Sequence, residues 1–256
     1  MPHLEMLVTV KAYPALSTKY GEVVCVAGIR IEDETPKWTR LFPVPFRDLP
    51  FDQRFKKYQW IGVDAERHDG DLRPETFRPN PDSLECGSVM TTNDRWRERR
   101  RLIDPLMIPS MCWLQDRQRE DGTSLGVFRP RQVQAFEYEP VDEWSEDKLA
   151  VAAQPSLWFP NRSNLEQVPY RFRYRWVCED RRCRGHAQSV VDWELAQAFR
   201  SWRGGYDEPT LLRKLEEKWL GDMCDASRDT AFFSGNMHRY QESFLVLGVF
   251  WPPRES

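Results

Sequence analysis

The sequence is poor in histidine, and it lacks the motifs of several large enzyme classes. Four histidines in 256 residues leave few side chains that could act as a general base near neutral pH. The chain contains no G-x-x-x-x-G-K-[ST], no G-x-G-x-x-G after a predicted strand and no G-x-S-x-G. These absences argue against P-loop nucleotide hydrolysis, dinucleotide redox chemistry and α/β-hydrolase chemistry.

Long apolar runs are also missing. No stretch of about 18 apolar residues occurs, so we predict no membrane-spanning helix and no membrane partner. The opening segment MPHLEMLVTVKAYPAL has no basic start followed by an apolar core, and we therefore expect a cytoplasmic protein. In that reducing compartment the six cysteines are expected to be thiols or metal ligands rather than disulfides.

Net charge is nearly absent too, but the basic residues have an unusual composition. A formal net charge of -3 excludes a positive field over the whole molecule, so any surface for a polyanion must be local. Of the 37 basic residues only 8 are lysine, which leaves 29 arginines. Arginine is the side chain best suited to bidentate phosphate contacts and to stacking on bases.

The pattern of apolar residues predicts an α+β protein in two parts. Four strands are predicted in the first 66 residues, at EMLVTVKAY, GEVVCVAGIRI, KWTRLFPV and YQWIGVDAE. The proline-containing residues 68–87 predict an irregular surface segment. Helices near TTNDRWRERRRLIDPLM and SMCWLQDRQRE and a strand at RQVQAFEYEP complete a β-rich domain with inserted helices over residues 1–145.

A smaller α+β subdomain is predicted over residues 166–256, after a change of composition near residues 145–165. Its predicted elements are a strand at Tyr170–Val177, helices at Ser189–Trp202 and Glu208–Leu220, and strands at Thr230–Ser234 and Ser243–Trp251. The turn after its first strand is the candidate for a zinc-bound strand-turn-helix.

That first strand, RFRYRWV, alternates arginine with aromatic residues. Successive side chains of a strand point to opposite faces, so Phe172, Tyr174 and Trp176 share one face. The other face carries a row of arginines about 7 Å apart, Arg171, Arg173 and Arg175. The row predicts contacts with neighbouring phosphates of a nucleic acid. The alternative is a solvated face whose arginines pair with acidic neighbours.

Two cysteines and a histidine follow this strand in a C-x4-C-x2-H pattern. Cys178, Cys183 and His186 are the ligand types that zinc prefers, and a tight turn can bring them to one point. For the fourth ligand Cys224 fits best by residue type, and His238, Asp192 and water are alternatives. Such a site would be structural if it has four protein ligands and catalytic if one position stays open. The plain alternative is two ordinary thiols and a surface histidine.

Asp192 and Glu194 suggest a different chemistry. In a helix that begins near Ser189 they lie about 200° apart, but on an extended segment they share one face. Together with His186 they would then form the site of a divalent-metal nuclease. A lysine two residues after Glu194 would strengthen this interpretation, but Ala196 stands there. The alternative is a carboxylate favoured by the start of a helix.

The first domain offers a second basic surface. Arg40, Arg47, Lys56 and Lys57 recur around aromatic residues that include Trp60. This interleaving predicts an aromatic pocket with a cationic rim, suited to an unstacked base, although an amphipathic sheet edge would look similar. The arginines of residues 95–101 are spread around the circumference of a predicted helix, which indicates that this helix is exposed to solvent.

The sequence therefore favours a DNA- or RNA-binding protein with a structural zinc site. A nuclease that uses Asp192, Glu194 and His186 is the first alternative. The second is a protein-interaction module without nucleic acid, because tryptophan and arginine are both enriched at protein interfaces.

Overall fold

The computed structural model describes residues 1–17, 21–153 and 164–255 of the chain. The protein is mixed α+β, dominated by strands, and contains a β-barrel. The predicted α+β class is confirmed at this level. Within the described ranges, no helix is both long and apolar enough to cross a membrane.

The N-terminal half forms a closed barrel. Its strands are β1 (His3–Lys11), β2 (Ala15–Ser17), β3 (Gly21–Glu32), β4 (Thr35–Val44), β5 (Gln59–Arg67), β6 (Thr76–Pro79) and β7 (Glu85–Val89). The order β1-β3-β4-β6-β5 closes because β5 also pairs with β1. Strand β6 runs parallel to β4, and the other neighbours in this ring are antiparallel. Strands β2 and β7 extend the sheet at β3 and β5.

Two helices connect this barrel to the C-terminal half. Helix α1 spans Asn93–Ile103, and helix α2 spans Met111–Asp121. Ser110 caps α2 by accepting a hydrogen bond from the Trp113 amide, as expected for a serine at this position. The α1 arginines are not all solvated as predicted. Arg99 stacks over the Tyr58 ring and donates to the Met90 carbonyl, so it is buried.

The described residues of the C-terminal half form two three-stranded sheets and three helices. The strands are β8 (Leu125–Phe128), β9 (Gln132–Pro140), β10 (Tyr170–Val177), β11 (His186–Ser189), β12 (Ala231–Asn236) and β13 (Phe244–Phe250). The helices are α3 (Glu146–Ala152), α4 (Trp193–Trp202) and α5 (Glu208–Glu216), and a π-helical segment at Glu217–Asp222 extends α5. One sheet has the order β11-β10-β9 and the other β13-β12-β8.

The two C-terminal sheets together form a second, partly open barrel. Strands β8 and β9 follow each other closely, so they act as one bent strand that pairs with β12 at one end and β10 at the other. On the opposite side, Val190 and Val246 form a parallel bridge between the end of β11 and β13. Strands β8 and β9 thus belong with the C-terminal strands, although the sequence suggests a first domain that extends to residue 145.

Both barrels have the same topology. The five strands that close the first barrel are β1, β3, β4, β5 and β6, and in the second barrel β8 and β9 count as one strand. When the five strands of each barrel are numbered along the chain, their order around the barrel is 1-2-3-5-4-1. The third and fifth strands are parallel in both. This five-stranded Greek-key arrangement is that of the OB fold. Helices α4 and α5 lie between the third and fourth strands of the second barrel.

The aromatic face of β10 fills the second barrel. Phe172, Tyr174 and Trp176 are almost fully buried. Tyr174 stacks on Phe232 at a centroid distance of 4.8 Å, and Trp176 stacks on Phe128 at 4.9 Å. Alternation along the strand therefore sends the arginines to the outer surface.

The first barrel buries its own outer face against the second barrel. Leu7, Ala27 and Ile29 pack in one cluster with Val127 and Phe233 of the C-terminal half. The face formed by β1, β3 and β4 is therefore part of an internal interface. A ligand could not reach it without separating the two barrels.

Two regions differ from the sequence predictions. The segment predicted as irregular, residues 68–87, contains β6 and the start of β7, whose short runs carry proline or polar residues and so hide the strand pattern. The predicted helix start at Ser189 is wrong, because residues His186–Ser189 form β11 and α4 begins at Trp193. Asp192 is the N-cap of α4 and accepts a hydrogen bond from the Glu194 amide at 3.0 Å.

Candidate metal centre and nucleic-acid interface

Three cysteines and one histidine converge beside the second barrel. The ligand atoms of Cys112, Cys178, Cys183 and His186 all lie within 4.8 Å of one another. Cys178 directly follows β10, His186 begins β11, and Cys183 lies in the turn between them. Cys112 comes from the first turn of α2, so this cluster joins α2 to the β10–β11 turn.

The distances in this Cys3His cluster fit a tetrahedral metal ion. The Cys178 and Cys112 sulfurs are 3.6 Å apart, and the His186 Nε2 lies 3.6 Å from the Cys178 sulfur and 3.7 Å from that of Cys112. Neighbouring sulfurs around a tetrahedral zinc, each about 2.3 Å from the metal, are separated by about 3.8 Å. Cys112, Cys178 and His186 therefore have the spacing that a tetrahedral metal requires, and the Cys183 sulfur lies within 4.8 Å of all three.

The turn around Cys183 prepares its sulfur for a cation. The amides of Cys178 and Gly185 both lie 3.4 Å from the Cys183 Sγ and donate to it. Burial opposes ionisation of this thiol, but these two amides together with the Cys178 and Cys112 thiols outweigh it and lower the pKa of Cys183. Gly185 has a φ of 96°, which glycine adopts without strain, and this allows the turn.

His186 and Cys112 differ in how readily they adopt the protonation state that binds a metal. Burial lowers the pKa of His186, which favours the neutral imidazole that binds metals. Its ring stacks on Trp176 at a centroid distance of 4.3 Å. Burial raises the pKa of the Cys112 thiol to about 12, so a bound cation would be needed to stabilise its thiolate.

Cys224 lies apart from the Cys3His cluster, although its residue type makes it the fourth ligand that the sequence favours. Its sulfur donates to the Trp219 carbonyl at 3.3 Å, in the segment that follows α5. The other sequence candidates are also engaged elsewhere, since His238 lies 3.4 Å from Asp71 and Asp192 lies 3.5 Å from Lys57. Cys112 stands 66 residues before Cys178, and its helical neighbours give no metal motif that could have identified it.

Asp192 and Glu194 meet a lysine rather than His186. The Lys57 ammonium is 3.5 Å from Asp192 and 3.3 Å from Glu194, so it links the first barrel to the start of α4. Gly248 leaves room for this contact, because a Cβ there would lie 3.1 Å from the Lys57 Nζ. The expected grouping with His186 does not form, since that ring belongs to the Cys3His cluster.

The lysine changes what the two carboxylates can do. Its charge compensates both of them, in the position where a divalent cation would have to bind. Nearby, a cleft of about 450 Å³ is lined by Lys11, Phe46 and Trp193. The Lys11 ammonium lies 3.8 Å from the centre of the Phe46 ring, and burial lowers its pKa to about 8.

The predicted basic surface of the first domain is not one surface. Arg40 is fully buried between the barrels, where it donates to the Ser124 hydroxyl at 2.7 Å. Trp60 packs against the same internal cluster, and Arg47 pairs with Glu22 at 3.0 Å. Of the predicted cations, Lys56 lies with Lys57 at the cleft. Arg40, Arg47 and Lys57 therefore direct their charge to partners inside the protein, and Lys56 is the exposed cation of the predicted set.

The arginine row of β10 lies on the outer face of the second barrel. Arg171 and Arg173 both pair with Glu139, at 3.1 Å and 2.8 Å, and Arg175 pairs with Glu137 at 2.5 Å. These acidic residues come from β9. Three guanidinium groups thus face two carboxylates, which leaves the surface with one excess positive charge.

The other side of the arginine row has small neighbours. Ala187 and Ser189 of β11 lie across from Arg175 and Arg173 in the strand register. Neither side chain is large enough to cover a guanidinium group. The outer face of β10 and β11 is therefore open, whereas the corresponding face of the first barrel is internal.

The structure thus defines a protein of two OB-topology barrels with a Cys3His cluster on the second. By sequence the chain belongs to the family described as Domain of unknown function (DUF8757), which matches residues 107–256. Residues 2–105 match a second family, Domain of unknown function (DUF8758). No curated protein sequence matches the chain.

Solved structures with a similar arrangement are distant. A murine DNA-binding protein bound to double-stranded DNA has 10% identity and a TM-score of 0.31, over 100% of this chain and 98% of that one. A Replication Protein A heterotrimer bound to single-stranded DNA has 10% identity and a TM-score of 0.38, over 100% of this chain and 49% of that one. Likenesses of this size carry no functional argument.

Proposed function

We propose that this protein binds a DNA or RNA chain through the outer face of β10 and β11, and that the Cys3His cluster holds a structural zinc ion. The observation that carries the proposal is the arginine row on the open face of the second barrel. In OB folds the second and third strands, with the loops beside them, form the surface that binds oligonucleotides or oligosaccharides. Here those strands are β10 and β11.

The glutamate partners of the arginine row do not prevent binding. Arg171 and Arg175 are each about half exposed, with side-chain exposures of 55% and 52%. Ion pairs between exposed side chains contribute little free energy, about 0–1 kcal/mol, so a phosphate can replace a carboxylate at low cost.

Zinc fits the cluster better than other common metals. Three thiolates and an imidazole form a soft ligand set, and four protein ligands leave no open position for substrate or water. The ion would therefore be structural. We do not propose a nuclease, because the cation between Asp192 and Glu194 is the Lys57 ammonium.

The test compares two triple variants in a binding assay with labelled single-stranded oligonucleotides. Replacing Arg171, Arg173 and Arg175 by alanine should weaken binding and reduce the slope of log K against log salt by about 2, as expected for three lost phosphate contacts. The control replaces three other exposed, ion-paired arginines by alanine, Arg97, Arg119 and Arg213.

The control removes the same charge from other parts of the surface and should change the affinity much less. Equal losses in both triple variants would show that binding depends on total charge alone. Undetectable binding of the wild-type protein to DNA and RNA at low salt would overturn the proposal and leave a protein interface as the better explanation of this surface.

A further inference from the structure

A cavity of about 720 Å³ opens at one end of the arginine row. Arg171, the first residue of the row, lines this cavity and also lines a shallow depression with Arg173 and Glu139. A chain that follows the arginines along β10 would therefore reach the mouth of the cavity.

The floor of the cavity is mostly apolar and belongs to the barrel interior, and the buried Asp192 is the charged residue that also lines it. Phe172 and Val190 come from β10 and the end of β11, and Leu195 and Ala196 come from α4. All four residues are buried. Such a floor accepts the flat face of a ring but offers no partner to a phosphate group.

The rim of the cavity is aromatic and polar, and it also carries the charged residues Asp142, Glu143 and Lys148. Tyr13 and Trp144 contribute rings, and Ser189 and Gln167 contribute polar groups. Gln167 also fixes the rim, because its side chain accepts a hydrogen bond from the Trp144 amide at 2.8 Å and donates one to the Asp142 carbonyl at 2.7 Å. The rim residues are therefore held in place before a ligand arrives.

We infer that this cavity receives one unstacked base of the bound strand, while the arginine row contacts the phosphates that lead to it. The inference rests on the proposed function, and it specifies single-stranded or locally opened nucleic acid. Ligand pockets typically measure about 300–1,000 Å³, so a nucleotide fits this volume. Apolar floors and aromatic rims are what proteins use to hold an unpaired base.

The first experiment measures the affinity of the wild-type protein for two oligonucleotides of equal length and charge. One carries normal bases, and the other is an abasic chain of tetrahydrofuran units. We expect the normal strand to bind about tenfold more tightly or better, the usual effect of base stacking. Both strands present the same phosphates to the arginines.

The second experiment fills the cavity from α4. Ala196→Trp should place an indole in the cavity and abolish most of the preference for the normal strand, with the affinity for the abasic chain unchanged. The control is Ala198→Trp, which lies on the same helix but lines the cleft beside Lys11. Ala198→Trp should keep the wild-type preference, and thermal unfolding would verify that both variants are folded.

The outcomes separate the two proposals. A wild-type protein that binds neither strand overturns the proposed function and this inference together. Binding of both strands with equal affinity overturns only the inference, and this result does not depend on any variant. A full preference for the normal strand in a folded Ala196→Trp variant would also overturn it, because the bases would then be recognised elsewhere.

Discussion

Asp192 and Glu194 are two residues apart and contact the same lysine, but the pKa values of their carboxyl groups are shifted in opposite directions. Asp192 has only 4% of its side chain exposed, and burial raises its pKa to about 6 despite the attraction of Lys57. Glu194 is half exposed, and for this carboxyl the attraction of Lys57 dominates and lowers the pKa. Exposure therefore decides which of the two prefers to be charged.

This difference predicts opposite pH dependences for two isosteric variants. The folded protein binds a proton at Asp192 more readily than the unfolded chain does. Protonation of Asp192 therefore increases the stability of the folded protein as the pH falls from about 6 toward 4. Glu194 contributes stability above its ordinary pKa and loses it as the pH falls. The free energy of unfolding of Asp192→Asn and Glu194→Gln, measured against wild type by denaturant titration from pH 7 to pH 4, should show this.

Relative to wild type, Asp192→Asn should become less stable as the pH falls, and Glu194→Gln should become more stable. The two variants control for each other, since each removes one negative charge beside Lys57. Parallel pH profiles would contradict the assignment of burial as the cause of the raised Asp192 pKa.

At the scale of elements, the sequence predicts long strands well and short ones badly. The alternation of RFRYRWV determines which face of β10 is buried, and the apolar run in β1 indicates a strand covered on both sides. Strand β11 has only four residues, HAQS, and no apolar alternation to identify it. Its pairing with β10 depends on the turn that contains Cys183, which is a tertiary property.

The Cys3His cluster could likewise be predicted only in part from local sequence. Cys178, Cys183 and His186 are close in sequence because one turn holds them, so their spacing predicts a site. Cys112 reaches them only through the packing of α2 on the second barrel. Cys224 is a thiol of the same kind, and nothing in the local sequence distinguishes Cys112 from Cys224 as the fourth ligand.

We expect Cys112→Ser to release the metal and to weaken the attachment of α2. Purified wild-type protein should contain about one zinc per chain, and the variant should contain much less. The melting temperature should fall by about 5 °C or more, because each kcal/mol corresponds to about 2–4 °C in a chain of this size. Elemental analysis and thermal unfolding would measure both effects.

Cys224→Ser is the matched control for this variant. Its thiol is also partly buried but contacts the Trp219 carbonyl, so the zinc content should stay at the wild-type level. Zinc retained in Cys112→Ser, or lost only in Cys224→Ser, would contradict the ligand set that the geometry defines.

At the scale of the whole molecule, the two barrels are not independent modules. The outer face of the first barrel carries Leu7, Ala27 and Ile29, which would be exposed apolar surface without the second barrel. Buried polar contacts cross the same interface, such as that between Arg40 and Ser124. The face formed by β1, β3 and β4 is thus closed, whereas among the described residues the outer face of β10 and β11 is open, and the proposed binding surface and the cavity both lie on this second barrel.

Because the two barrels share this interface, we expect them to unfold in one transition. Removing contacts from the interface should make them unfold in two separate transitions. Phe233 is buried between the barrels, whereas its neighbour Phe232 points into the core of the second barrel. Each replacement by alanine should cost about 3–5 kcal/mol. Calorimetry should show one transition for wild type and for Phe232→Ala, but two for Phe233→Ala, since only this variant removes contacts between the barrels. Two transitions in the wild-type protein would mean that the interface does not couple the unfolding of the two barrels.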